Sequence, residues 1–122
     1  MLDLNGKTAF VFGVASEDSI AWAICQQLAA AGCTLYLGYQ KRFMSRIFKL
    51  KDQLPSIGGF YPLDVAEDAS TKEFFDAFAA EHPGKKADIL VHAIGFAPRT
   101  CFDRPILFVE DADINTAMTI SA

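Results

Sequence analysis

Apolar positions along the chain alternate between short continuous runs and helical repeats. Residues 7–12 (KTAFVF) read as an apolar strand, and CTLYLGY at 33–39 is rich in strand formers. GGFYPLDV at 58–65 reads as a third strand with Pro62 inside it. Proline cannot donate to a ladder, so this strand belongs at a sheet edge. ADILVHAIG at 87–95 is nearly continuous apolar sequence, as expected of a parallel strand covered on both faces, with His92 a hydrogen-bonded core histidine.

Helical spacing fills the intervals. Ile20, Ile24, Leu28 and Ala31 repeat as one helix face within 19–31, and Gly32 supplies a left-handed cap. Residues 41–51 place Phe43, Ile47 and Leu50 on one side, leaving Lys41, Arg42, Arg46, Lys49 and Lys51 to solvent. Ser70-Thr71-Lys72-Glu73 has the form of a capping box, and the helix it opens carries Phe74, Phe75 and Phe78 as far as His82-Pro83-Gly84. Residues 98–110 read as loop, and Asp111 as the cap of a last helix bearing Ile114, Ala117, Met118 and Ser121. No stop signal follows that helix, so residues 1–122 read as the N-terminal portion of a longer domain.

Four strands joined by three helices predict an α/β fold, a doubly wound parallel sheet of Rossmann type with right-handed crossovers. Strand order 3-2-1-4 puts the proline strand at the edge, where it is tolerated.

Bulk properties narrow the picture. A chain of 122 residues, 52% hydrophobic with eleven phenylalanines, can build one real core. Its net charge of −4 gives no electrostatic footprint for nucleic acid. No basic region leads into a hydrophobic stretch as in a signal peptide, and no apolar run approaches the ~18 residues of a membrane span. The cysteines (Cys25, Cys33, Cys101) form no C-x-x-C and leave an odd count, which suits a reducing compartment. Neither histidine has partners at metal-ligand spacing, so no metal is expected. These features predict a soluble cytoplasmic protein.

In open parallel sheets ligands collect beyond the carboxyl ends of the strands, where strand order reverses. Here those ends present Gly13 to Ser19, Tyr39-Gln40, Asp64-Val65 and Ala93-Ile94-Gly95. Gly13 and small Ala15 let backbone approach a ligand, and amides around Ser19 and Ile20 could meet a pyrophosphate at a helix N-terminus. Ser19 adds a hydroxyl donor, and Gln40 is placed for an adenosine ribose. Asp64 and the Val65 amide could bond adenine, and Gly95 permits contact near a second ribose. Each signal alone has a plainer reading: Gly13 as a turn, Ser19 as an N-cap, Asp64 as a post-strand cap. Their joint placement at four strand ends is what points to a dinucleotide. A phosphoacceptor receiver domain would also carry an aspartate like Asp64, but it needs an acidic pair directly after the first strand, where Phe12-Gly13 stand. A non-catalytic nucleotide sensor on the same fold stays open at this point.

GVASEDSIAWAI, YQK, LDVAEDAS, VHAIGFAP and AMTISA occur in this order. The chain thereby resembles the NAD(P)H-dependent enoyl-[acyl-carrier-protein] reductases, divergent short-chain dehydrogenases/reductases, over essentially its whole length. The most specific parts are G-V-A-S-x-x-S-I-A at 13–21 and H-A-I-G-F-A at 92–97. The resemblance implies cofactor contacts at Gly13, Ser19, Ile20, Gln40, Asp64, Val65 and Ile94, with Glu17 and Asp18 turned to solvent, and the strand-end reading adds Ala15, Ala93 and Gly95. It places Ala97 at the edge of the acyl pocket. Gln40 suggests NADH, while Lys41 and Arg42 leave NADPH possible. The implied reaction reduces the trans-2 double bond of an enoyl thioester on acyl carrier protein, in fatty acid biosynthesis, by a homotetramer. The family's catalytic tyrosine and lysine fall beyond Ala122, so no catalytic residue is assigned here and the chain alone is expected to be inactive. A last helix cut short is expected to expose Ile114, Met118 and Ile120.

Overall fold

The computed structural model describes residues 2–121; Met1, and Ala122 at the end of AMTISA, lie outside the described residues. Four strands form one parallel sheet: β1 (Thr8–Phe12), β2 (Thr34–Tyr39), β3 (Ile57–Pro62) and β4 (Ile89–His92). Their spatial order is β3-β2-β1-β4, as the crossover rules predict, and Pro62 ends the edge strand β3. Receiver-type sheets run 2-1-3-4-5, so this order sets that alternative aside.

Strand alternation splits the core in two. Ala9 and Val11 of β1 join Trp22, Cys25, Leu35, Leu37, Ile47 and Leu50 on one face, under helices α1 (Ile20–Ala30) and α2 (Met44–Leu50). Phe10 and Phe12 point the other way, into an aromatic layer with Tyr36, Tyr61, Phe74 and Phe78 beneath α3 (Asp68–Glu81). Phe10 meets Phe78 edge-on with ring centroids 4.7 Å apart, and Phe12 meets Phe74 at 5.0 Å. The Tyr61 hydroxyl donates to Glu81 of α3.

Several local expectations need correction. The buried face of α1 is centred on Ala21, Trp22 and Cys25; of the expected stripe, Leu28 packs against this core and Ile24 is half-buried, but Ile20 is 79% exposed. At the other end the Cys33 amide bonds the Leu28 carbonyl (3.1 Å) and the Gly32 amide that of Ala29 (3.0 Å), with Gly32 at φ +101°, the left-handed cap expected.

The capping box at Ser70 is not formed. Helix α3 starts three residues earlier, at Asp68, with Glu67 as N-cap. Ser70 Oγ instead accepts the Asp64 amide at 2.8 Å. Strand β4 is shorter than expected and covered on one face. Ile89 and Val91 pack toward α1, whereas Leu90 (57% exposed) and His92 share the face of Phe10 and Phe12, beyond α3. His92 is therefore an exposed side chain and not a core histidine. Residues 98–110 contain two helical turns, α4 (Thr100–Asp103) and a 3-10 turn at Ile106–Phe108, before α5 (Asp111–Ser121). Asp111 is the first residue of α5 and not its cap, since the Glu110 carbonyl takes the amides of Asp113 and Ile114. Ile114 and Met118 are exposed as expected, but Ile120 is half-buried.

Two predictions follow from this packing. Phe74→Ala removes a ring that is only 1% exposed and should cost about 3–5 kcal/mol in urea denaturation, with Phe75→Ala, 40% exposed, costing clearly less. Burial pushes the Cys25 thiol from its ordinary 9.0 to about 12 and also raises Cys33, Tyr39 and Tyr61, the last helped by Glu81. The folded state thus holds these protons more tightly than the unfolded chain. That stability is intact below the ordinary value of 9.0 and lost as pH climbs toward about 12, which a pH series of urea midpoints would show as a decline confined to the alkaline arm.

Candidate cofactor site

Register brings the strand tips together. Phe12 pairs with Gly38 on one side and His92 on the other, and Tyr39 pairs with Pro62. The residues that follow therefore leave the sheet along one edge, at the point where the chain order reverses between β1 and β4. At that point Gly13 has φ +108°, and a Cβ there would lie 2.1 Å from the Ala93 carbonyl oxygen. Only glycine lets the first tip pass this close to the fourth.

Two connected hollows open along this edge. The smaller, about 190 Å³, is lined by Gly13, Ala15, Gln40, Ala93, Ile94 and Gly95, with Gly38, Tyr39, Phe43 and Leu63. The larger, about 710 Å³, lies between the β3 tip and α3 and is lined by Lys41, Asp64, Glu67, Ser70 and Glu73 among others. Gln40, Arg42, Leu63, Phe96 and Ile120 border both. Seven of the positions named from sequence thus face this space: Gly13, Ala15, Gln40, Asp64, Ala93, Ile94 and Gly95. Ser19, Ile20, Val65 and Ala97 are not among the residues lining it.

The Ser19 hydroxyl is already employed. It donates to the Ser16 carbonyl at 2.8 Å and accepts the Trp22 amide at 3.2 Å, so it caps α1 and has no spare hydrogen for a ligand. The next amides, of Ile20 and Ala21, meet no acceptor among the described residues and remain for an outside group. Glu17 and Asp18 are exposed, as expected. Asp64 is fixed from two directions: its amide donates to Ser70, and one carboxylate oxygen accepts the Ala66 amide at 3.0 Å. Gln40 Oε1 accepts Arg42 Nε at 2.8 Å.

The sequence reading missed the residues that close the site. Ile120 of α5 borders both hollows, and Ser121 Oγ accepts the Phe96 amide (2.8 Å) and donates to the Phe96 carbonyl (2.9 Å). A serine after an apolar residue in an exposed helix carries no local signal of that role. Among the described residues no group of three or more His, Cys, Asp or Glu is placed to hold a metal ion. Nor, among them, is any helix long and apolar enough to cross a membrane.

This edge can be compared with known proteins. The sequence profile described as Enoyl-(Acyl carrier protein) reductase matches residues 13–122, from the close-approach glycine onward. The chain belongs to that family. It is 35% identical over 126 aligned residues to the NADH enoyl-[acyl-carrier-protein] reductase FabI of Synechocystis, covering 99% of this chain and 47% of that protein. With FabI of Salmonella typhimurium it shares 42% identity over 96 residues, 78% of this chain and 36% of that one. Its fold superposes on the Bacillus cereus enoyl-acyl carrier protein reductase, solved with NADP+ and an indole naphthyridinone, with a TM-score of 0.91 and 31% identity. That match covers 100% of this chain and 48% of the other. The Anaplasma phagocytophilum enzyme, solved in complex with NAD, gives 0.88 and 27%, over 98% and 45%. The chain therefore spans about half the length of the family members it matches, or less.

The site geometry makes a paired prediction. Gly13→Ala must relieve both a positive φ and a backbone clash, and should lose about 1–3 kcal/mol from the dihedral alone. Ser19→Ala removes an N-cap and should lose about 1 kcal/mol. Urea denaturation of the two variants checks both values.

Proposed function

We propose that the chain is the cofactor-binding half of an NADH-dependent enoyl-[acyl-carrier-protein] reductase of fatty acid biosynthesis, working in the cytoplasm and forming a homotetramer when complete. The observation that carries this reading is the convergence of Gly13, Gln40, Asp64 and Ile94 on one reversal-point crevice, in a chain whose family membership runs from Gly13 to its last residue. Two features fit a dinucleotide. Gly13 lets the β1 and β4 tips press together beside the hollow, and the free amides of Ile20 and Ala21 sit at the positive end of the α1 dipole.

In this reading Gly13 and Ala15 keep the wall low, and the α1 amides receive the pyrophosphate. Gln40 serves the adenosine ribose, and Asp64 with the Val65 amide serves adenine. Ala93, Ile94 and Gly95 border the second ribose, and Ala97 the acyl pocket. Ser19 acts through the helix it caps. The nicotinamide, when bound, supplies a hydride for the β-carbon of the enoyl thioester. No tyrosine of this chain serves as the hydrogen-bond donor to the thioester oxygen. Tyr36 does hold a lysine, with Lys85 Nζ donating to its hydroxyl at 3.1 Å, but its ring is buried against Phe78 and His82 under α3. Tyr39 and Tyr61 are likewise buried.

Titration of the 122-residue chain with NADH, followed by nicotinamide fluorescence, should show weak saturable binding, and a crotonyl thioester assay should show no turnover. Absence of binding overturns the nucleotide reading. Turnover overturns the assignment of the chemistry to residues outside this chain.

A further inference from the structure

We infer that the outer surface of α2 is a docking face for an anionic lipid bilayer, held by Arg46, Lys49 and Lys51 with Phe48 as its apolar foot. Residues 41–53 run without a break through a 3-10 turn (Lys41–Phe43), α2 and a second 3-10 turn (Lys51–Gln53). They hold five cations and one acid, Asp52, so the segment carries +4 on a chain that carries −4 in all. No acid interrupts residues 41–51; Asp52 stands in the last turn, where Gln53 Nε2 also donates to Glu17 at 3.3 Å. None of Lys41, Arg42, Arg46, Lys49 and Lys51 forms an ion pair among the described residues. The molecule therefore has a basic pole, and an anionic surface is steered to it on this side.

Phe43, Ile47 and Leu50 pack on the core, which turns the remaining positions of the segment outward. Arg42, Arg46 and Lys49 follow one another at helical spacing on one flank, and Met44, Phe48 and Lys51 on the other. Met44 is 38% and Phe48 49% exposed, so two apolar side chains stand one turn apart among the cations. The Phe48 ring is braced by Tyr39 (5.8 Å) and Phe60 (5.7 Å), which presents its outward half in a fixed place. Such a surface suits the boundary between headgroups and acyl chains, where apolar tips enter and lysine and arginine keep their charges at the phosphates. An acidic protein would also answer the charges. A bilayer answers Phe48 and Met44 as well, because it receives them without a matching pocket. Arg46, Phe48, Lys49 and Lys51 line neither hollow, so this face is separate from the cofactor crevice.

Sedimentation of the 122-residue chain with vesicles tests this. At low salt the chain should bind vesicles of phosphatidylcholine and phosphatidylglycerol in equal parts, should not bind phosphatidylcholine alone, and should come off at about 0.5 M salt. Each cation near such a surface contributes about fivefold in partitioning. Arg46→Gln, Lys49→Gln and Lys51→Gln combined should therefore weaken binding on the order of a hundredfold, with the urea midpoint unchanged. In Phe48→Trp the added indole should be quenched by brominated phosphatidylglycerol, whereas Trp22 of the parent chain, 2% exposed, should not. Equal binding to uncharged vesicles, undiminished binding by the triple variant, absence of quenching or no binding to anionic vesicles overturns the inference. So does capture by polyglutamate without vesicle binding, which assigns the face to an acidic protein.

Discussion

The tip of β1 reaches the tip of β4 through a contact that admits no side chain. With Gly13 at φ +108° and the Ala93 carbonyl where a Cβ would be, the first and fourth strands leave the sheet pressed together. The Ala93 amide adds a hydrogen bond to the Phe12 carbonyl at 3.0 Å, extending the ladder one residue past β4. Everything at the crevice inherits its position from this junction. The Gly13–Ala15 wall, the Ala93–Gly95 wall and the start of α1 all hang from strands whose relative height is fixed here. In a parallel sheet the height of every tip is a matter of register, and the pairings of Phe12 with Gly38 and with His92 carry it outward to the remaining strands.

Much of this was legible in the sequence because it rests on backbone rules. Pro62 announced the edge strand, the apolar runs announced strands 1, 2 and 4, and the crossover rule turned them into an order. Side-chain detail was less legible because one residue type serves several ends. Ser70 looks like a cap at the start of a phenylalanine-rich helix, yet its hydroxyl is drawn to the Asp64 amide from within the first turn. Ser19 looks like a ligand donor and is a cap. The face of α1 was set partly off: Ile20 was counted into the stripe, whereas Ala21, Trp22 and Cys25 are the residues fully buried against the sheet.

The two layers of the core differ in kind. The α1 side is mainly aliphatic around Trp22 and Tyr39, whereas the α3 side is a stack of rings meeting edge to face. The larger hollow opens beside this aromatic layer, with Tyr61 and Phe74 in its wall. His92 was misread because a strand rich in apolar residues implies two covers, and on this side α3 stops short of β4.

Phe96 is clasped through both its amide and its carbonyl by one hydroxyl, that of Ser121, twenty-five positions away along the chain. Its main chain is consequently satisfied by a helix instead of by a neighbouring strand. Helix α5 has few other moorings, with Ile114 and Met118 facing outward. The hollow's outer lip is accordingly tethered to the final turn of α5 through a single side chain, so the shape of the opening depends on where that turn lies.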